Sequence, residues 1–169
     1  MSHEPDVGGT PVEERAERLK ERVYITFTAL AVVLALREHA ESPGVVIGTL
    51  VIGVVGALLA VFVADVVSHI ATHAALPDAR ELRHMTAVSF GALGVLVAPL
   101  LLLALAAAGA WELDSALLVT TFVLVGTLVA VGYAAVRRVR LPAWQKLLVL
   151  LAEFALGVVV VGLELLAHV

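Results

Sequence analysis

Residues 44–64 read GVVIGTLVIGVVGALLAVFVA, with Thr49 as the only polar side chain. An α-helix needs about twenty apolar residues to cross roughly 30 Å of hydrocarbon. Strands of a membrane barrel would instead alternate apolar and polar residues, which this segment does not do. The stretch therefore predicts a transmembrane helix.

Other apolar runs lie on both sides of this stretch, at residues 23–36, 85–111, 116–136 and 147–166. Hydrophobic residues make up 61% of the chain and charged residues 15%, and the mean hydropathy is +1.02. This composition excludes an ordinary soluble domain. We predict an all-α, polytopic integral membrane protein with five transmembrane helices in a compact bundle. Pro99 predicts a kink in the third helix, since proline removes one intrahelical hydrogen bond.

The polar N-terminus suggests a different organisation from the rest of the chain. Residues 1–10 predict a disordered tail, and residues 11–22 predict a charged helix continuous with the first span. Thr10 is placed to cap this helix, with Pro11 at its first position. The mixture of acidic and basic residues before the short first run argues against a signal peptide. Residues 23–169 are then one membrane domain.

The distribution of basic residues predicts the orientation. If all five runs cross the membrane, every Lys and Arg except Arg37 falls on the side of the N-terminus. Basic residues concentrate in cytoplasmic segments of membrane proteins. We therefore predict a cytoplasmic N-terminus and an outside C-terminus. The excess of Ala, Val, Leu and Gly suggests a bacterial protein, and hence a multi-pass protein of the plasma membrane.

Three titratable side chains recur at four-residue spacing where the second helix becomes polar, before Pro77 ends it after Leu76: Asp65, His69 and His73. Positions i, i+4 and i+8 turn by only about 40° per step, so they share one helical face. A carboxylate and imidazoles suit a divalent metal ion or a proton relay, and His84 could join them. The alternative is an ordinary solvated helix end.

Glu153 is the acid predicted to lie deepest in the membrane. Measured from Ala143, it lies about 15 Å along the helix at 1.5 Å per residue, which is near the middle of the bilayer. Thr127 on the fourth helix is predicted at a similar depth. A carboxyl group at this depth is costly when ionised, so it is expected to be paired, hydrated or protonated. It would serve as a transport relay or as a hydrogen bond that fixes helix packing.

The sequence patterns that indicate helix packing and oligomeric contacts are weaker. Glu164 near the outer end of the fifth helix is the expected structural partner of Arg37. Small residues at four-residue spacing, as at Gly53 and Gly56 with the alanines that follow them, permit close helix contact, although such patterns also arise by chance in this composition. A small bundle with short loops favours a homo-oligomer or a partner membrane subunit.

These features favour a small ion-handling protein, a channel or transporter for protons or a divalent cation. The alternative is a non-conducting scaffold, assembly factor or partner subunit. The sequence has no cysteine, no phosphate-binding glycine loop outside the apolar runs and no nucleophile motif, so we expect neither an enzyme nor a thiolate metal site. The lipid bilayer is the expected partner, nucleic acid is not, and a divalent metal ion is the candidate cofactor.

Overall fold

The computed structural model describes residues 11–37, 39, 42–137, 142, 144–148, 151, 152, 154, 155, 158 and 159. Its main elements are α1 (Pro11–Leu36), α2 (Pro43–His73), α3 (Ala79–Gly91), a 3₁₀ segment (Ala92–Leu96), α4 (Val97–Ala107) and α5 (Leu113–Val136). No strand occurs in this part of the chain, so the all-α prediction is confirmed for it. The tail at residues 1–10, Glu153 and Glu164 lie outside the described residues.

Within the described residues, three helical segments are long and apolar enough to cross a membrane: Pro43–His73, Ala79–Ala107 and Leu113–Ala135. Most of the surface of each apolar window faces outward rather than into the protein, since at most 44% of it is buried. Apolar surface of this extent has no stable place in water. The chain is therefore a multi-pass membrane protein that contacts lipid.

Helix α1 lies at the centre of the bundle. It joins the charged residues 15–22 to the apolar run without a break. It packs against α2, α3, the 3₁₀ segment and α5, most extensively against α5. Ile25, Ala29 and Val33, at four-residue spacing, are almost completely buried on its inner face. The core of the bundle is thus built around the helix with the shortest apolar run.

Helix α2 begins with the capping residues that its sequence favours, and it ends earlier than predicted. The Ser42 hydroxyl accepts a hydrogen bond from the amide N–H of Val45, and Pro43 takes the first helical position. The helix stops at His73 rather than at Leu76. Ala74 there adopts a left-handed conformation, with φ of 52°, and its N–H donates to the Ile70 carbonyl at 2.8 Å. The predicted boundary was wrong because alanine gives no sequence signal for this conformation.

Helix α3 begins at Ala79, before the predicted apolar run. Asp78 Oδ1 accepts the backbone N–H groups of Arg80 at 2.8 Å and Glu81 at 2.7 Å. Glu81 Oε2 accepts the Asp78 N–H at 2.8 Å in return. This reciprocal capping box satisfies amide groups that have no partner inside the helix, so the helix starts in the polar segment.

The third apolar run changes its helical geometry before Pro99. Residues 92–96 form a 3₁₀ helix, and α4 continues from Val97 to Ala107. A proline ring clashes with the carbonyl of the residue four positions earlier, so the preceding turn cannot keep regular α geometry. Helix α4 ends four residues before Trp111, the predicted end. Trp111 instead folds back and donates its indole N–H to the Leu102 carbonyl at 3.1 Å.

Candidate functional site

A polar cavity lies at the charged end of the bundle, where α1, α2 and α3 meet. The order of the contacts along the helices shows that α1 and α3 run parallel here and that α2 runs antiparallel to α1. The cavity has a volume of about 320 Å³. We call it the charged-end cavity, and its lining residues are Glu17, Lys20, Glu21, Asp65, Ser68, His69, Thr72, His73, Met85 and Val88.

The structure brings Asp65, His69 and His73 together on the wall of this cavity. The imidazole rings of His69 and His73 stack, with centroids 4.4 Å apart and an angle of 23° between their planes. His73 Nδ1 lies 3.2 Å from the His69 carbonyl oxygen and donates to it when that nitrogen carries the proton. The polar face that the sequence indicates is therefore a cavity wall.

Pairs of charged or titratable side chains join the helices around the cavity: Lys20 Nζ and Asp65 Oδ1 at 4.0 Å, His69 Nε2 and Glu81 Oε2 at 3.5 Å, and His84 Nε2 and Glu17 Oε2 at 3.7 Å. The histidine pairs become ion pairs when the imidazole is protonated. Each pair connects two different helices. The three pairs therefore link α1, α2 and α3 at this end of the bundle.

Among the residues whose burial the structure describes, Glu21 is the most deeply buried carboxyl at this end, with 4% of its surface exposed. Its Oε1 accepts a hydrogen bond from the hydroxyl of Ser89, which is itself fully buried, at 3.2 Å. Glu21 lies two positions before the apolar run of α1, and Ser89 directly precedes residues 90–107, which carry no charged side chain. This hydrogen bond lies where the polar cavity gives way to the apolar core.

Burial raises the pKa of the Glu21 carboxyl above its ordinary value, because a charge loses hydration in the protein interior. The hydrogen bond from Ser89 lowers that pKa, since it stabilises the ionised form. Of the nearby charges, Asp65 and Glu17 raise the pKa and Lys20 lowers it. The carboxyl is thus protonated at higher pH than an exposed glutamate.

The remaining predicted site residues lie elsewhere or outside the described chain. His84 pairs with Glu17 and does not line the cavity. Thr127 is half-buried on α5 and donates its hydroxyl hydrogen to the Val123 carbonyl of the same helix at 2.8 Å. Arg37 is exposed at the end of α1. Its expected partner Glu164, and the proposed relay Glu153, lie outside the described residues.

A metal centre was the other sequence prediction for the histidine face. Within the part of the chain that the structure describes, no group of three His, Asp or Glu side chains is arranged to hold a metal ion. Asp65 and His69 instead face Lys20 and Glu81. The metal site stays a prediction.

Sequence reasoning missed Glu21, Ser89 and the α1 contribution to the cavity. One signal for Glu21 was present, because it precedes Ile25 by four residues and so continues the buried stripe of Ile25, Ala29 and Val33. An acid on the buried face of a helix must find a partner or remain protonated. Nothing in the sequence identified Ser89 as that partner.

Comparisons with known protein families, with curated proteins and with solved structures found no match to this chain. The class of protein is therefore defined by its own sequence and structure. It is an α-helical, multi-pass membrane protein in which titratable side chains line a cavity at one end of the bundle.

Proposed function

We propose that this protein moves protons across the membrane and that the charged-end cavity is one mouth of the pathway. The observation that carries the proposal is the wall of this cavity, in which carboxyl and imidazole groups from two helices meet at the end of an apolar bundle. Titratable side chains inside membrane proteins characteristically mark proton and ion pathways. Imidazole is the side chain that exchanges protons most readily near neutral pH.

The pathway continues from this cavity into the membrane interior. In the proposed topology the chain crosses five times and its N-terminus is cytoplasmic, so the cavity opens to the cytoplasm. Glu153 is the acid at the bilayer midplane that passes the proton on, and Arg37 and Glu164 pair on the outer side. The protein acts in a bacterial plasma membrane as a homo-oligomer or with a partner membrane subunit.

A proton fits this cavity better than a divalent cation does. Asp65, one of the candidate ligands, lies 4.0 Å from the ammonium group of Lys20. A fixed positive charge beside a carboxylate opposes binding of a second cation there. If the protein instead handles a divalent cation, the purified protein would carry Zn, Fe or Mn, and His69→Ala would weaken the binding of that metal.

The test is proton flux into liposomes that contain the purified protein under an imposed pH gradient. We expect wild type to carry a flux above that of protein-free liposomes and Glu153→Gln to lose it. The matched control is Glu112→Gln, the same chemical change at an exposed acid outside the cavity. Folded wild-type protein that carries no proton flux under any gradient would overturn the proposal.

A scaffold function is the second candidate, and one observation favours it. The pairs Lys20 with Asp65, His69 with Glu81 and Glu17 with His84 each tie one helix to another, as expected of charges that fix packing. Residues 15–18 of α1 are exposed. This function predicts a stoichiometric partner that co-purifies, and loss of that partner when exposed charges of residues 15–18 are reversed.

A further inference from the structure

Glu21 and Ser89 form a buried polar pair that the sequence did not indicate. We propose that the Glu21 carboxyl is the proton-binding site between the charged-end cavity and the interior of the bundle, with Ser89 as its positioning residue. The inference rests on the proposed function, because it names the group that takes protons from the cavity. It assigns to α1 a role that the sequence analysis predicted for Asp65, Thr127 and Glu153.

The first argument is access from the cavity. Glu21 lines the cavity although only 4% of its surface is exposed. Its one hydrogen bond among the described residues is the bond that Oε1 accepts from Ser89. Oε2 has no such partner there, so this oxygen is the one that can exchange a proton with the cavity. Ser89 fixes the orientation of the carboxyl while leaving Oε2 available.

The second argument is position along the helices. Beyond Glu21, the inner face of α1 continues with Ile25 and Ala29, and beyond Ser89 the chain continues with residues 90–107. Neither segment offers another carboxyl. A proton that leaves the cavity along α1 therefore has Glu21 as its last carboxyl before the apolar core.

The third argument is the balance of charge around Glu21. Glu17 on its own helix and Asp65 on α2 favour the protonated form, whereas Lys20 on its own helix favours the ionised form. His69 and His73 of α2 line the same cavity. Helix α3 supplies Ser89, and α5 supplies no residue to the cavity lining among the described residues. Opposed influences of this kind suit a group that must both bind and release a proton.

The experiment compares Glu21→Gln with wild type in proteoliposomes, with Glu112→Gln as the matched control. We expect Glu21→Gln to lose the proton flux down to the level of protein-free liposomes and Glu112→Gln to keep the wild-type flux. Glutamine keeps the shape of the side chain and can accept the Ser89 hydrogen bond, but it cannot carry the proton. If Glu21→Gln conducts as well as wild type does, the inference is wrong and the proposed function still stands.

A second measurement is independent of flux. In lipid nanodiscs, infrared difference spectra across a pH titration should show a carboxyl C=O band in wild type that titrates above the ordinary range of glutamate. Glu21→Gln should lack this band and Glu112→Gln should keep it. Identical spectra for wild type and Glu21→Gln would overturn the inference. If wild type carries no flux but this band is lost in Glu21→Gln, the proposed function fails and the proton-binding site stands.

A third variant covers the case in which Glu21→Gln does not fold. Glu21→Asp keeps a carboxyl, but the side chain is one methylene group shorter, so the carboxyl lies farther from Ser89. We expect the flux of Glu21→Asp to depend on pH with a displaced midpoint, because the hydrogen bond that favours ionisation is weakened. An unchanged pH profile in folded Glu21→Asp protein would contradict the inference.

Discussion

The charged end and the apolar body of this bundle hold their helices together in different ways. At the charged end, polar side chains of different helices contact each other in specific pairs, as Ser89 and Glu21 do. In the body, Leu50 is fully buried while Ile52 of the same helix is 74% exposed, although the two side chains have the same chemistry. In lipid, apolarity alone does not decide which face of a helix turns inward, because both surroundings are apolar. Packing in the body therefore depends on shape, and packing at the charged end on specific polar partners.

The largest effect should come from removing a well-packed side chain of the body. Leu50→Ala is expected to lower the free energy of unfolding by about 2–5 kcal/mol, because it leaves a cavity among close-packed neighbours. The control is Leu59→Ala on the same helix, where half of the side chain is exposed. That change should cost about 0.5 kcal/mol or less, as expected for a surface position. Unfolding in mixed detergent and SDS micelles measures both, and equal losses would show that the inward face of α2 is misassigned.

The next effect tests the charged end through its pH dependence. Burial raises the pKa of Glu21 in the folded protein. The folded state thus holds the proton more tightly than the unfolded state, and the associated stability is present below the ordinary glutamate pKa and lost as pH rises through the folded pKa. Ser89→Ala removes a donor to this carboxyl, at a cost of about 1.5–3 kcal/mol when the partner is ionised and about 0.5–1.5 kcal/mol when it is neutral.

Ser89→Ala should therefore destabilise the protein more at high pH than at low pH. The free energies of unfolding of wild type and Ser89→Ala are compared by repeating the measurement in mixed detergent and SDS micelles from low to high pH. Ser68→Ala serves as the control, because Ser68 is an exposed cavity residue. A loss for Ser89→Ala that does not vary with pH would mean that Glu21 keeps the same protonation state throughout.

A smaller effect is expected where the charged end begins on α3. Asp78→Ala removes the side chain that caps α3, and should cost about 1 kcal/mol, within the range of about 0.5–2 kcal/mol for such caps. Glu112 occupies the corresponding position before α5 but makes no capping hydrogen bond through its side chain. Glu112→Ala should therefore change stability little in the same unfolding assay. If the two variants lose similar amounts of unfolding free energy, the capping box does not explain why α3 starts at Ala79.

The two regions also differ in how far sequence predicts them. Residues 44–64 predicted a membrane helix because an apolar stretch of about twenty residues, broken only by Thr49, has one stable arrangement in lipid, and α2 contains all of it. The face of Asp65, His69 and His73 followed from helical periodicity, and these side chains do share the cavity. The partners of these side chains could not be predicted, because they depend on how α1 and α3 approach α2. The burial of Glu21 depends on the same approach, and so does the central place of α1.

The smallest effect tests whether shape alone positions helices in the apolar body. Gly53 and Gly56 lie one turn apart on α2, and both belong to small-residue patterns that permit close helix contact. A Cβ added at Gly53 would lie 3.3 Å from Val32 Cγ2 of α1, whereas one added at Gly56 would meet nothing within 4 Å. Alanine is favoured over glycine inside a helix by about 0.5–1 kcal/mol.

Gly56→Ala should gain this stability in full. Gly53→Ala should lose it again, because Val32 must move, and should be less stable than Gly56→Ala by about 1 kcal/mol, of the order of a mild overpacking cost. A further substitution, Val32→Ala, should restore the gain to Gly53→Ala, since it removes the methyl group that the new Cβ meets. Equal stability of the two single variants would show that α1 and α2 separate at no cost at this point, and that polar contacts rather than close packing position α2 along its whole length.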